Sequence, residues 1–157
     1  MRNVINRSVS IQELAPAILQ IVTAGGTAEL TVTGRSMLPM LFDRVSCVKL
    51  GAIVAPKLGD IILYQRDNCT YVLHRIVACA PDGTYTMCGD AQVVLEPKIR
   101  RDQMIAVVQS FARRNRWQDC ENTFYKLWWH IHIADLPLRK LFCRAIAFLK
   151  RRIAKHT

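Results

Sequence analysis

Hydrophobic residues at Ile11, Leu14, Ile18, Ile21 and Val22 recur near helical spacing, which predicts a helix over about residues 11–24. Ser10 followed by Glu13 suggests a capping box at its start, and Gly25-Gly26 supplies its end. The period then drops to two. Ala28-Glu29-Leu30-Thr31-Val32-Thr33 alternates and is rich in β-branched residues, so it reads as a strand running straight into Gly34-Arg35-Ser36-Met37-Leu38-Pro39. Further strands are predicted at Val45 to Leu50, Ile61 to Gln65, Tyr71 to Val77, Thr84 to Cys88 and, after a polar loop, Met104 to Phe111. Asp67-Asn68 and Pro81-Asp82-Gly83 mark turns between them. Short strands punctuated this often predict a compact, mainly antiparallel β domain over residues 1–112, with one N-terminal helix.

Beyond about residue 112 the helical period returns. Phe124, Leu127, Trp128 and Ile131 share that spacing, and Pro137 breaks or starts a helix. Leu138, Leu141, Phe142, Ala145, Ile146, Leu149 and Ile153 then form one apolar stripe, with Arg139, Lys140, Arg144, Lys150, Arg151 and Arg152 over most of the remaining surface. Residues 113–157 are therefore expected to form a basic, aromatic-rich helical tail.

Charge sharpens this division. The net charge is +10, of which residues 1–112 carry +2 and residues 113–157 carry +8. Such a tail suits an anionic bilayer surface, which residues 122–157 would meet peripherally; its alternative is a helical cover over the β domain. Nucleic acid is disfavoured as a partner, because no recognised nucleic-acid module accompanies the charge. No signal peptide and no run of about 18 uninterrupted apolar residues is present, which favours a cytoplasmic or peripherally membrane-associated protein. Cys47, Cys69, Cys79, Cys88, Cys120 and Cys143 show neither a C-x-x-C pair nor a zinc spacing, so free, mostly buried thiols in a reducing compartment are expected. No metal or organic cofactor is implied.

Three residues stand where chemistry is possible. Ser36 follows a strand pattern, between Gly34, which permits a tight backbone, and Pro39, which stiffens the exit. A serine is a weak nucleophile without an adjacent base. His74 lies inside an apolar strand pattern and titrates near neutral pH. Asp90 follows Gly89 at a strand end. Each alone has a bland reading, as a turn serine, a core histidine and a turn carboxylate. Together they would supply a nucleophile, a base and an orienting acid.

Four segments in order carry a resemblance. Gly34-Arg35-Ser36-Met37-Leu38-Pro39 resembles the G-x-S-M-x-P nucleophile box of the signal-peptidase and LexA-type peptidase superfamily (S24/S26). Gly59-Asp60-Ile61-Ile62 resembles its G-D-hydrophobic strand, Tyr71 to Val77 its general-base box, and Gly89-Asp90 its later G-D box. The resemblance spans about residues 30–110. A histidine at the base position is similar to the archaeal and endoplasmic-reticulum signal peptidases rather than to the lysine-dependent members.

The resemblance implies a serine endopeptidase acting on a peptide or protein precursor. Ser36 would be nucleophile and its backbone N–H an oxyanion donor, His74 the general base, and Asp90 the acidic partner. Glu96 is the nearest match to a second acid. Many signal peptidases carry a hydroxyl two positions before the nucleophile, where this chain has Gly34, and Ala91 stands where asparagine is usual. About 30 residues precede the strand pattern, so the DNA-binding domain of a LexA-type repressor is not expected. Two other readings remain: a catalytically silent module that holds an extended peptide by strand addition, and a basic nucleic-acid-associated regulator.

Overall fold

The structure, a computed structural model, describes residues 11–114 and 116–153, without the side chains of residues 149, 150, 152 and 153. Ser10 of the expected capping box therefore lies outside the described residues, as do the side chains of Leu149 and Ile153. Helix α1 spans Ile11–Thr23 and buries Ala15, Ile18 and Val22. Gly25, at φ +81°, closes it. The Gly25 and Gly26 N–H groups donate to the carbonyls of Val22 and Ile21, satisfying two acceptors that the helix end would otherwise leave open.

The strands are β1 (Ala28–Thr31), β2 (Ser46–Gly51), β3 (Ile61–Gln65), β4 (Tyr71–Cys79), β5 (Tyr85–Cys88), β6 (Glu96–Ile99), β7 (Met104–Arg113) and β8 (Arg116–Asp119). They form one antiparallel sheet in the order β1-β2-β7-β3-β4-β5-β6, not closed into a barrel, with β8 added to β7. The mainly β architecture with flanking helices is thus the one the hydrophobic pattern predicts. Two strands escaped that pattern. β6 (Glu-Pro-Lys-Ile) is too polar and too short to show alternation, and all four residues of β8 are exposed.

Strand β3 is the axis of the core. Ile61 and Leu63 join one cluster with Ile18, Val22, Met37, Leu41, Val48 and Phe111, whereas Ile62 and Tyr64 join another with Ile76, Met87, Ile99 and Met104. Successive strand side chains point to opposite faces, so a strand apolar at every position is one covered on both sides.

The chain stays in the sheet beyond residue 112. The sheet continues through Asp119, and helix α2 (Thr123–Ala134) buries Tyr125 and Trp129 in the first core cluster. Phe124, Leu127 and Ile131 are the exposed face of that helix. Four aromatics within six residues made both faces of α2 look apolar, and only packing distinguishes them. Helix α3 (Leu136–Ile153) follows, and its leading residue Leu136 is buried. No helix among the described residues is long and apolar enough to cross a membrane.

Candidate active site

Ser36 sits half-buried in the loop between β1 and β2. Gly34 enters that loop at φ +94°, a conformation that a side chain strains, and its N–H donates to Asp43 Oδ1 at 2.8 Å. A serine or threonine at this position would meet that backbone penalty, which is a physical reason for the missing hydroxyl. Downstream, Arg113 Nη2 donates to the carbonyls of Pro39 and Met40 at 2.6 and 2.7 Å and pins the loop to β7. The Ser36 carbonyl accepts the Ala91 N–H at 2.8 Å. A Cβ on Gly89 would stand 2.6 Å from the same oxygen, so the G-D segment approaches the serine loop as closely as a glycine allows. The Ser36 hydroxyl and N–H make no hydrogen bond among the described residues.

His74 lies on β4 and is 2% exposed. Its Nδ1 is 3.2 Å from Glu96 Oε1 and 3.4 Å from the Tyr64 hydroxyl. The Tyr64 hydroxyl donates to Glu96 Oε2 at 2.8 Å, and Arg66 holds both Glu96 oxygens through Nε and Nη2. Burial works against ionising Glu96, yet the hydrogen bonds from Arg66 and Tyr64 hold its carboxyl below the usual range. An ionised acceptor beside Nδ1 draws the ring proton to that nitrogen and leaves Nε2 as the basic one. Nε2 has no hydrogen-bond partner among the described residues. Burial pushes the His74 pKa below the ordinary imidazole value, with Glu96 opposing the shift.

Asp90 does not stand at the imidazole as expected. Arg75 takes both of its oxygens, Nε to Oδ1 at 2.8 Å and Nη2 to Oδ2 at 2.7 Å. Strand parity explains the exchange of roles. His74 shares its face with Ile76, which pairs with Met87, which in turn pairs with Glu96. Arg75 faces the other way and pairs with Cys88, two residues before Asp90. Glu96, the second acid of the sequence reading, is therefore the carboxylate at the imidazole. It stands on β6, a strand that the hydrophobic pattern did not predict.

The Arg75–Asp90 pair is wholly buried, and Arg75 Nη1 also donates to the Gly59 carbonyl and the Tyr125 hydroxyl, both at 2.8 Å. The rings of Tyr125 and Trp128 from α2 stand 5.5 and 5.6 Å from the guanidinium carbon. The Asp90 carbonyl accepts from His132 Nε2 and from Arg139 Nη1, each at 2.9 Å. α2 and α3 thus hold the loop on which the Ser36 main chain rests. Arg66, Arg75, His132 and Arg139 were not anticipated as site residues. Arg75 alone left a sequence signal, as a charged residue inside an apolar strand.

A cavity of about 170 Å³ opens beside Ser36, lined by Leu14, Leu30, Val32, Met37, Leu63 and Leu73 among others. Val72 and Leu73, which immediately precede His74, also border it. No group of three or more His, Cys, Asp or Glu side chains among the described residues is placed to hold a metal ion. The six cysteines are free, but only Cys88 is buried, and Cys69, Cys79 and Cys143 are exposed, against the expectation of mostly buried thiols.

Comparison with family models, curated proteins and solved structures finds no match.

Proposed function

We propose that this protein is a serine endopeptidase of signal-peptidase type, with Ser36 as nucleophile, His74 as general base and Glu96 as the carboxylate that orients the base. The observation that carries the reading is the state of His74: a buried imidazole tied through Nδ1 to a carboxylate, with Nε2 uncommitted, one residue along β4 from the wall of the Ser36 cavity and not hydrogen-bonded to Ser36. A histidine held only for packing has no need of an ionised carboxylate braced by an arginine and a tyrosine.

In the proposed reaction Ser36 Oγ attacks the peptide carbonyl carbon as its proton passes to His74 Nε2. The uncommitted Ser36 N–H meets the oxyanion. The imidazolium then protonates the leaving amine, and water, deprotonated by the same nitrogen, releases the acyl group. β5 pairs with β4 only from Arg75 onward, so Tyr71 to Leu73 offer a strand edge to an extended peptide. The apolar cavity beside Ser36 would take one of its side chains.

The pH profile tests the base. Neutral His74 is the active form, and burial lowers its pKa, so the acid limb of kcat/KM is expected to have its midpoint below the ordinary imidazole value. Glu96→Gln removes the charge that opposes this shift, so the acid limb should move further down while the rate drops. A profile flat from about pH 4 to 8, with chemistry rate-limiting, would remove His74 from the mechanism.

A peptide library incubated with wild-type and Ser36→Ala protein, read by mass spectrometry, tests the activity. Cleavage by the wild type alone supports the peptidase. Saturable peptide binding by both proteins, with no cleavage by either, would make the chain a silent binding module.

A further inference from the structure

We propose that α3 docks the protein on an anionic lipid bilayer, lying in the plane of the interface without crossing it. The helix has 18 residues, about 27 Å of length, and contains no Asp or Glu. Its stripe is not spent on the protein's own core. Every residue from Leu141 to Phe148 is exposed, and Leu138, Leu141 and Phe142 are about two-thirds exposed (66, 66 and 67%). With Ile146 these residues share one helical face. Arg139 flanks that face, and Lys140, Arg144 and Arg151 lie on the opposite side of the helix.

Charge decides which occupant fits. Seating a second copy on the stripe would bring together two helices that each carry six Lys/Arg and no acid, with nothing to neutralise the summed charge. An anionic headgroup layer neutralises them while its acyl boundary takes the leucines and phenylalanine. The placement also has a consequence for the site. Leu138 and Phe142 border a surface hollow with Ala91 and Val93, and Arg139 holds the Asp90 carbonyl. Docking therefore sets the loop beneath Ser36 close to the bilayer, within reach of substrates emerging from it.

Flotation of the full-length protein with vesicles of phosphatidylglycerol and phosphatidylcholine, or of phosphatidylcholine alone, tests the proposal. Wild-type protein should float with the anionic vesicles only, and less as salt screens the attraction. Leu141→Gln with Phe142→Gln should lower binding at least about tenfold, and Lys140→Gln, Arg144→Gln and Arg151→Gln together should do the same at low salt. Circular dichroism melting verifies that each variant folds. Should the apolar pair unfold the protein, the three charge replacements, all on the exposed part of the helix or its margin, still decide the matter. Ser36→Ala protein should float like wild type, so the result is independent of the peptidase reading. No flotation with anionic vesicles, equal flotation with neutral ones, or a dimer that requires Leu141 and Phe142 in a protein that does not float, would each overturn the proposal.

Discussion

Replacing Ser36 with alanine is expected to lower kcat/KM by about 10³-fold or more, with the unfolding midpoint unchanged. The two halves of that result have separate causes. In the proposed mechanism the hydroxyl oxygen is the atom that bonds to the substrate carbonyl, so its loss would remove the covalent route altogether. It makes no hydrogen bond among the described residues and is only half-buried, so the fold loses nothing by its removal. His74→Ala should lose activity to a similar degree, and the double variant should be little worse than either alone, because nucleophile and base act as a unit. His74→Ala also vacates a buried position beside Glu96, so its stability must be measured alongside. Single-variant losses that multiply in the double variant would count against a shared mechanism.

Two acids near the site should separate cleanly, and this is the second large effect. Asp90→Ala is expected to destabilise the fold by about 3–5 kcal/mol, because it leaves the Arg75 guanidinium buried with no counter-charge. Glu96→Gln should cost much less stability. Its carboxylate is one-fifth exposed (20%), and its amide can still accept from Arg66 and Tyr64. The activity of Glu96→Gln should nevertheless fall by about 10²-fold or more, because the imidazole loses the group that fixes its tautomer and stabilises its cation. Urea unfolding monitored by tryptophan fluorescence, together with peptide cleavage, reads both quantities. If Asp90→Ala stays as stable as wild type yet loses activity with a changed pH profile, the roles assigned to the two acids are reversed.

Position along the chain and period of the apolar residues were enough to place most of the fold. The alternation at Ala28 to Thr33 and Tyr71 to Val77, and the doubled apolar run at Ile61 to Leu63, follow from local geometry, since side chains in a strand point alternately to two faces. The Gly25-Gly26 stop was legible for the same reason: a helix end needs donors that a left-handed glycine turn supplies. Ser36 and His74 could be picked out as candidates because a nucleophile box and a base box each occupy a few consecutive residues. The basic tail was visible as composition.

What the sequence by itself determined, then, are the properties that reside in short stretches of chain: the strands, the first helix, the serine loop and the charge imbalance. Tertiary structure alone decided which residues meet across it. Whether Asp90 or Glu96 reaches His74 depends on the pairing of β4 with β5 and of β5 with β6, and a shift of one residue would send every side chain to the opposite face. Whether α2 belongs to the core depends on Tyr125 and Trp129 finding Phe111 and Gly59, residues 14 and 70 positions away. A Cβ on Gly59 would lie 2.4 Å from the Trp129 ring, so that contact exists only because one partner lacks a side chain. And whether the stripe of α3 covers the sheet or faces outward is a matter of where its neighbours end, which periodicity cannot encode: an amphipathic helix has the same pattern whether protein or lipid takes its apolar face.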